Sequence, residues 1–203
     1  PAPRRGDGWN AVSRSSEIAI LDMEWTAWEG SWRRDWQGPG EFREVIQIGI
    51  IKLTDTADME ETEDIQILIR PVLNPELSEY FINLTGITQS EVDEQGLPMP
   101  EALATMQTFL KPGMPTIYSN GVDGNILDEN FQKIGVPFPF APDKFADIHS
   151  NLDDFLNVHP RDLVSSRLPE TMGFSPPGHA HDAIADCRCI AEALRIMRRA
   201  GSF

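Results

Sequence analysis

Two cysteines in 203 residues, Cys187 and Cys189, are too few for a disulfide framework. Two positions apart on a helix, they point about 200° away from each other and cannot pair. They read as small helix residues of a reducing compartment, with the cytoplasm as the default location. Long apolar runs are also missing: none approaches the roughly 18–20 residues that span a bilayer, so no membrane partner is expected. No basic start precedes an apolar stretch, so no secretory signal is read. Because the chain starts at Pro1 rather than Met, a removed targeting segment stays open. Positive charge is scarce as well: 17 Lys and Arg stand against 32 Asp and Glu, for a net charge of −15. That balance opposes broad nucleic-acid binding, because phosphate neutralisation supplies most of such affinity. The charge is uneven, however. Asp55, Asp58, Glu60, Glu61, Glu63 and Asp64 crowd what reads as a loop tip, while Arg33, Arg34 and the Arg195–Arg199 region supply local positive charge. Acids that bind divalent cations would be neutralised. Weak non-specific duplex binding is predicted, and a local nucleotide site remains compatible with the charge.

What is present reads as one domain. Residues 1–16, rich in Pro, Gly, Ser and Arg without periodicity, read as a disordered arm, and 17–203 as a single folded unit. Glu17–Trp25, Glu44–Leu53 and Ile65–Arg70 read as three antiparallel strands, separated first by a Trp- and Gly-rich loop. Helices are expected over Pro75–Asn83, after the capping box Thr88–Glu91, and over Glu101–Leu110, closed by Pro112-Gly113. Thr116–Tyr118 is a buried strand, Gly124–Ile134 a helix and Phe145–Ile148 a last strand. Short helices over 151–168 and a long one from about Ala183 to Arg199 complete the chain. The pattern predicts an α/β fold with a mixed sheet of about five strands, the first three antiparallel, flanked by helices.

Four acids and one histidine carry the chemical signal. Asp22 and Glu24 share one face of the first strand and continue a stripe begun by Ile18 and Ile20. Either the strand emerges into solvent there, or the pair is neutralised by a proton, a base or a metal. In the helix after Thr116–Tyr118, Ile126, Leu127, Phe131 and Ile134 form an apolar stripe. Extended backwards, that stripe contains Asp123 and leaves Asp128 facing water, although an aspartate that merely caps the helix is the plainer reading. Asp186 borders the buried side of the last helix. On a continuous helix His181 would lie about 140° away from it. The two converge only if His181 precedes the helix, in a segment made mobile by Gly178; an ordinary loop histidine is the alternative.

Asp-x-Glu on the first strand, an Asp opening a later helix and His-x4-Asp entering the final one resemble the DEDDh exonucleases of the RNase H-like fold. The resemblance runs from Glu17 to Arg199 and includes Leu84-Thr85-Gly86-Ile87-Thr88. The run RPVLNPELSEYFINLTGITQSEVD is most similar to the branch of histone-mRNA 3′ exonucleases and KapD. Trp25, where many relatives have a small or aliphatic residue, and Ser119-Asn120-Gly121-Val122 before Asp123 depart from the pattern, so specificity transfers less well than chemistry.

The resemblance implies a metal-dependent 3′→5′ exonuclease that removes nucleoside monophosphates from the 3′ end of single-stranded nucleic acid, RNA favoured over DNA. It implies two divalent cations, Mg²⁺ or Mn²⁺, held by Asp22, Glu24, Asp123 and Asp186, with His181 as general base. Hard ions of this kind take carboxylate oxygens and water. Thr26 would lie near the terminal sugar, Tyr80 and Leu84 would flank the last base, and Trp25 would pack on the nucleotide or in the core. One rival is a phosphohydrolase of the HD type, prompted by His181-Asp182 and opposed by the strands. The other is a catalytically silent exonuclease-like binding or scaffold module.

Overall fold

The computed structural model describes residues 17–111 and 114–203. Its centre is a five-stranded sheet in the order β3-β2-β1-β4-β5, formed by β1 (Glu17–Trp25), β2 (Val45–Thr54), β3 (Glu61–Leu68), β4 (Thr116–Ser119) and β5 (Phe145–Asp147). β1 to β3 are mutually antiparallel, whereas β4 and β5 run parallel to β1. Between β3 and β4 come α1 (Glu79–Thr85), α2 (Gln89–Gln95) and α3 (Met99–Leu110); α4 (Asp123–Lys133) links β4 to β5. α5 (His149–Leu156), α6 (Leu168–Met172) and α7 (Ala183–Arg199) follow. The mixed sheet with helices on both faces is the expected α/β arrangement.

β1 is apolar on both faces because both are covered. Ile18 and Ile20 pack with Ile51, Leu53 and the buried side of α7. Ala19, Leu21 and Met23 point the other way, against α3 and α4. The approach of α7 depends on Gly49. A Cβ there would lie 2.5 Å from the carbonyl carbon of Ala183, so only glycine lets the helix entrance rest on β2. Gly49 is the cross-strand partner of Asp22, so this contact sets the last helix directly over the first acid. Cys187 and Cys189 are buried and unpaired, as their spacing requires, and the Cys187 thiol donates to the Gly49 carbonyl at 3.3 Å.

Several boundaries move. β3 begins at Glu61 rather than Ile65, so part of the acidic loop tip is strand. Glu61, Thr62, Glu63 and Asp64 are exposed at a sheet edge and give no apolar signal. The first short helix starts at Glu79 rather than Pro75, because the Ser78 hydroxyl accepts from Phe81 N and caps it there. The capping box of α2 forms as read: Thr88 and Glu91 exchange side-chain and backbone bonds. α3 ends at Leu110; the arm 1–16 and Pro112-Gly113 lie outside the described residues. Among the described residues no helix is long and apolar enough to cross a membrane.

Apart from Arg33, the arginines of the basic patches are internally engaged rather than free. Arg188 pairs with Glu61 and Asp64, Arg198 with Asp55, and Arg195 and Arg199 with Glu192; Arg34 pairs with Glu41. The helix α7 and the acidic β2–β3 hairpin therefore neutralise each other, mostly at the surface, where each pair contributes ~1 kcal/mol or less.

Candidate active site

The C-terminal ends of the parallel strands open onto one cleft of about 590 Å³, the usual place for a site in such a sheet. Asp22, Glu24, Asp123 and Asp186 all line it, together with His181. β1 delivers Asp22 and Glu24. Asp123 is the first residue of α4, aimed inward by the stripe Ile126, Leu127 and Phe131. Asp128, by contrast, sits in an exposed hydrogen bond with Gln132. Asp186 enters from the first turn of α7.

His181 lies just before that helix, which starts at Ala183. Its backbone is in the left-handed region (φ 61°), and its N–H donates to Asp186 Oδ2 at 3.2 Å. The same bond that holds this conformation ties the histidine to the acid. The imidazole Nδ1 is 3.9 Å from Glu24 Oε1. Ligand atoms of Glu24, His181 and Asp186 all lie within 4.8 Å of one another. Asp182, beside His181, caps α7 through Ala185 N and accepts from Gln66 Nε2, both at 2.9 Å. It is a structural residue, and with the sheet it removes the HD-type reading.

Glu24, Asp123 and Asp186 are 9%, 5% and 3% exposed, and no Lys or Arg lines the cleft with them. Burial, and then repulsion from Asp186 and Asp123, raise the Asp22 and Glu24 carboxyls well above the usual range. Burial pushes Asp123 and Asp186 up to about 7, each opposed in part by a hydrogen bond. Asp186 Oδ1 is buried without a hydrogen-bond partner. Charged oxygens gathered in this way, one of them orphaned, fit a hard divalent cation. Burial lowers the His181 pKa, with repulsion from His179 adding to it, so the ring is neutral at neutral pH and able to accept a proton.

Of the substrate contacts expected, Trp25, Tyr80 and Leu84 line the cleft, and Thr26 does not. The Thr26 hydroxyl donates to Phe42 O (2.5 Å) and accepts from Glu44 N (3.0 Å), while its carbonyl accepts from Trp36 Nε1 (2.8 Å). These contacts tie Thr26 to the Trp-rich loop. Trp25 is half-buried and meets Trp36 edge-on at 6.2 Å.

Three residues escaped the sequence reading. Asp147 at the end of β5 accepts from Gly121 N and His149 N, both at 2.8 Å, and faces Asp123. Asn120 donates to Leu163 O at 2.6 Å and so fastens the turn that carries Ser165, whose hydroxyl bonds Asp22. Asp147 was findable, since it ends a strand parallel and adjacent to β4; Asn120 and Ser165 meet only through folding. A second cavity, about 650 Å³, lies behind the His181 segment near Gln66, Thr85, His179 and Asp182, and holds none of the four acids.

A mixed sheet with acids converging at the ends of its parallel strands defines an RNase H-like nuclease fold. The chain belongs to the exonuclease family RNase_T, whose match covers residues 19–194. It is 29% identical over 200 residues to 3′-5′ exoribonuclease 1 of Rattus norvegicus, covering 93% of this chain and 55% of that protein. The Homo sapiens counterpart is 29% identical over 192 residues, covering 89% and 52%. The chain thus spans about half the length of these curated relatives. Among solved structures, the nuclease domain of 3′hExo, a DEDDh family member bound to rAMP, superposes with a TM-score of 0.78 at 25% identity, covering 94% of this chain and 95% of that one.

Proposed function

We propose that this protein is a metal-dependent 3′→5′ exonuclease that releases nucleoside monophosphates from the 3′ end of single-stranded RNA. The observation that carries the reading is the convergence of Asp22, Glu24, Asp123 and Asp186 from three elements around an orphaned carboxylate oxygen. The exoribonuclease names of the relatives and the rAMP in the similar nuclease domain support RNA over DNA.

Asp22, Glu24, Asp123 and Asp186 would hold two divalent cations, Mg²⁺ or Mn²⁺. When bound, such ions neutralise phosphate charge and acidify a water. Asp22, which feels the charges of Asp186, Asp123 and Glu24 together, would contribute to holding both ions. His181, neutral and tethered to Asp186, takes the proton from the attacking water at an imidazole nitrogen. Its proximity to Glu24 and Asp186 keeps the imidazole beside the acids that would hold the ions. Leu84 and Tyr80 from α1 cover the terminal base, and Trp25 closes the floor.

The test is digestion of 3′-labelled single-stranded RNA, single-stranded DNA and a stem-loop RNA with Mg²⁺, with Mn²⁺ and with EDTA. Stepwise monophosphate release from single-stranded RNA, abolished by EDTA, is expected. Binding without release under both metals would instead identify a silent exonuclease-like module.

A further inference from the structure

Among the described residues, six large hydrophobic side chains are exposed, and four of them, Trp32, Tyr80, Val122 and Val164, line the acidic cleft. Trp32 is the most open of the four at 60%. An exposed indole at a site mouth is costly to leave wet and is well shaped to receive a flat partner. The loop around it is braced. Ser31 is buried and its hydroxyl accepts from Trp28 N, Trp36 Nε1 is bound to Thr26 O, and Arg34 is locked to Glu41. The loop is therefore rigid, and Trp32 projects from it by design of those contacts.

The opposite wall is the turn carrying Val164 and Ser165. From the same segment Arg161 places its guanidinium 5.3 Å from the centre of the Trp32 ring. Arg161 has no carboxylate partner among the described residues, in a chain where most arginines are paired. A cation over an indole is a weak clasp at an exposed site, ~0.5–1 kcal/mol, so it can open or be extended by a further stacked ring. Exposure also grades outward. Asp123 and Asp186 are buried, Leu84 and Trp25 half-buried, Tyr80 40% exposed and Trp32 60% exposed. The terminal nucleotide belongs at depth, beside the acids. Its 5′ neighbour comes to the mouth.

We propose that Trp32 and Arg161 form a second nucleotide subsite, in which the base preceding the terminal one stacks on the Trp32 indole while Arg161 turns to its phosphate. This deepens the exonuclease reading and rests on it. Base–aromatic stacking is sequence-tolerant, so the subsite grips any single strand and rejects a paired base whose faces are already covered.

The experiment compares two fluorescein-labelled oligoadenylates by anisotropy in Ca²⁺, one intact and one abasic at the penultimate position. Wild type is expected to bind the abasic strand about tenfold more weakly. Trp32→Ala should bind the intact strand about tenfold more weakly than wild type does, with no further loss on the abasic strand. Trp32→Phe should recover most of the difference. If Trp32→Ala still distinguishes the two strands tenfold, or wild type never does, the subsite is overturned. Release of monophosphate with Mg²⁺ is measured separately on the intact strand. Its absence in wild type would refute the nuclease reading and leave the binding comparison legible.

Discussion

Asp186 combines three facts that rarely meet in one residue: near-complete burial, a pKa near 7 and an oxygen with no partner. A carboxyl whose folded pKa is raised binds protons more tightly folded than unfolded. Its penalty is absent below the unfolded pKa, near 4, and grows as pH rises towards the folded one. Asp22, Glu24 and Asp123 shift in the same direction. The metal-free protein should therefore lose stability between about pH 4 and pH 7, on the order of 5–10 °C in Tm. At pH 8, millimolar Mg²⁺ or Mn²⁺ should restore it. Asp186→Asn removes a buried charge, so it should melt higher than wild type in EDTA at pH 8. It should also lose most of the Mg²⁺-induced shift and its nucleotide release. Calorimetry across pH, with and without the ion, checks the stability outcomes, and a release assay checks the last; a metal-free Tm that rises from pH 5 to pH 8 would contradict the charge assignment.

His181 is separable from the acids by a different readout. As a proton acceptor, His181→Ala should keep the cation-induced Tm shift while turnover falls by about 10²–10⁴. Its lowered pKa places the acid limb of the wild-type rate profile below the ordinary histidine value, and the substitution should erase that limb. Loss of the Tm shift instead would make His181 a ligand. The position of this residue was legible from sequence because helical geometry forbade Asp186 and His181 from sharing a face. Asp123 was legible through the wheel of α4. Thr26 was not, since its hydroxyl goes to Phe42 and Glu44, partners that only the loop closure brings near.

At the scale of elements, the helices with caps and the strands with apolar faces were readable, and the polar edge was not. β3 begins with four exposed residues whose pairing partner, β2, is the only reason they are extended. The register that matters most is equally silent in sequence. Gly49 faces Asp22 across β1 and β2 and admits the α7 entrance, yet it reads as an ordinary strand glycine. Gly49→Val should push α7 away, costing about 1–3 kcal/mol through overpacking. The displacement acts on Asp186 and His181 together, so the cation-induced Tm shift should shrink as well. Leu194→Ala, buried on the far part of the same helix, is the control: it should cost as much or more stability and leave the cation response intact. Equal cation responses in the two variants would show that Gly49 matters to packing alone.

The whole molecule carries 15 net negative charges and is proposed to handle a polyanion. The contradiction resolves once the arginines are followed to their partners. Arg188 and Arg198 of α7 are taken by the acidic hairpin, Arg195 and Arg199 by Glu192 of the same helix, Arg34 by Glu41, and Arg43 by Asp35 and Glu129. Near the cleft, Arg33 and Arg161 are the cations without a carboxylate partner among the described residues. A single strand meeting two such cations should lose affinity with salt at a log–log slope of about −1.4, following ~0.7 per neutralised phosphate. A protein with a broad basic track makes several times as many phosphate contacts and falls far more steeply. Anisotropy titrations of an oligoadenylate from 50 to 300 mM NaCl, at fixed Ca²⁺, measure the slope directly. Arg161→Ala should flatten it by about 0.7, and blunt duplex RNA should bind too weakly to titrate. A slope steeper than about −4 would mean that phosphate contacts beyond the cleft hold the strand, and that local grip at the 3′ end is the wrong description.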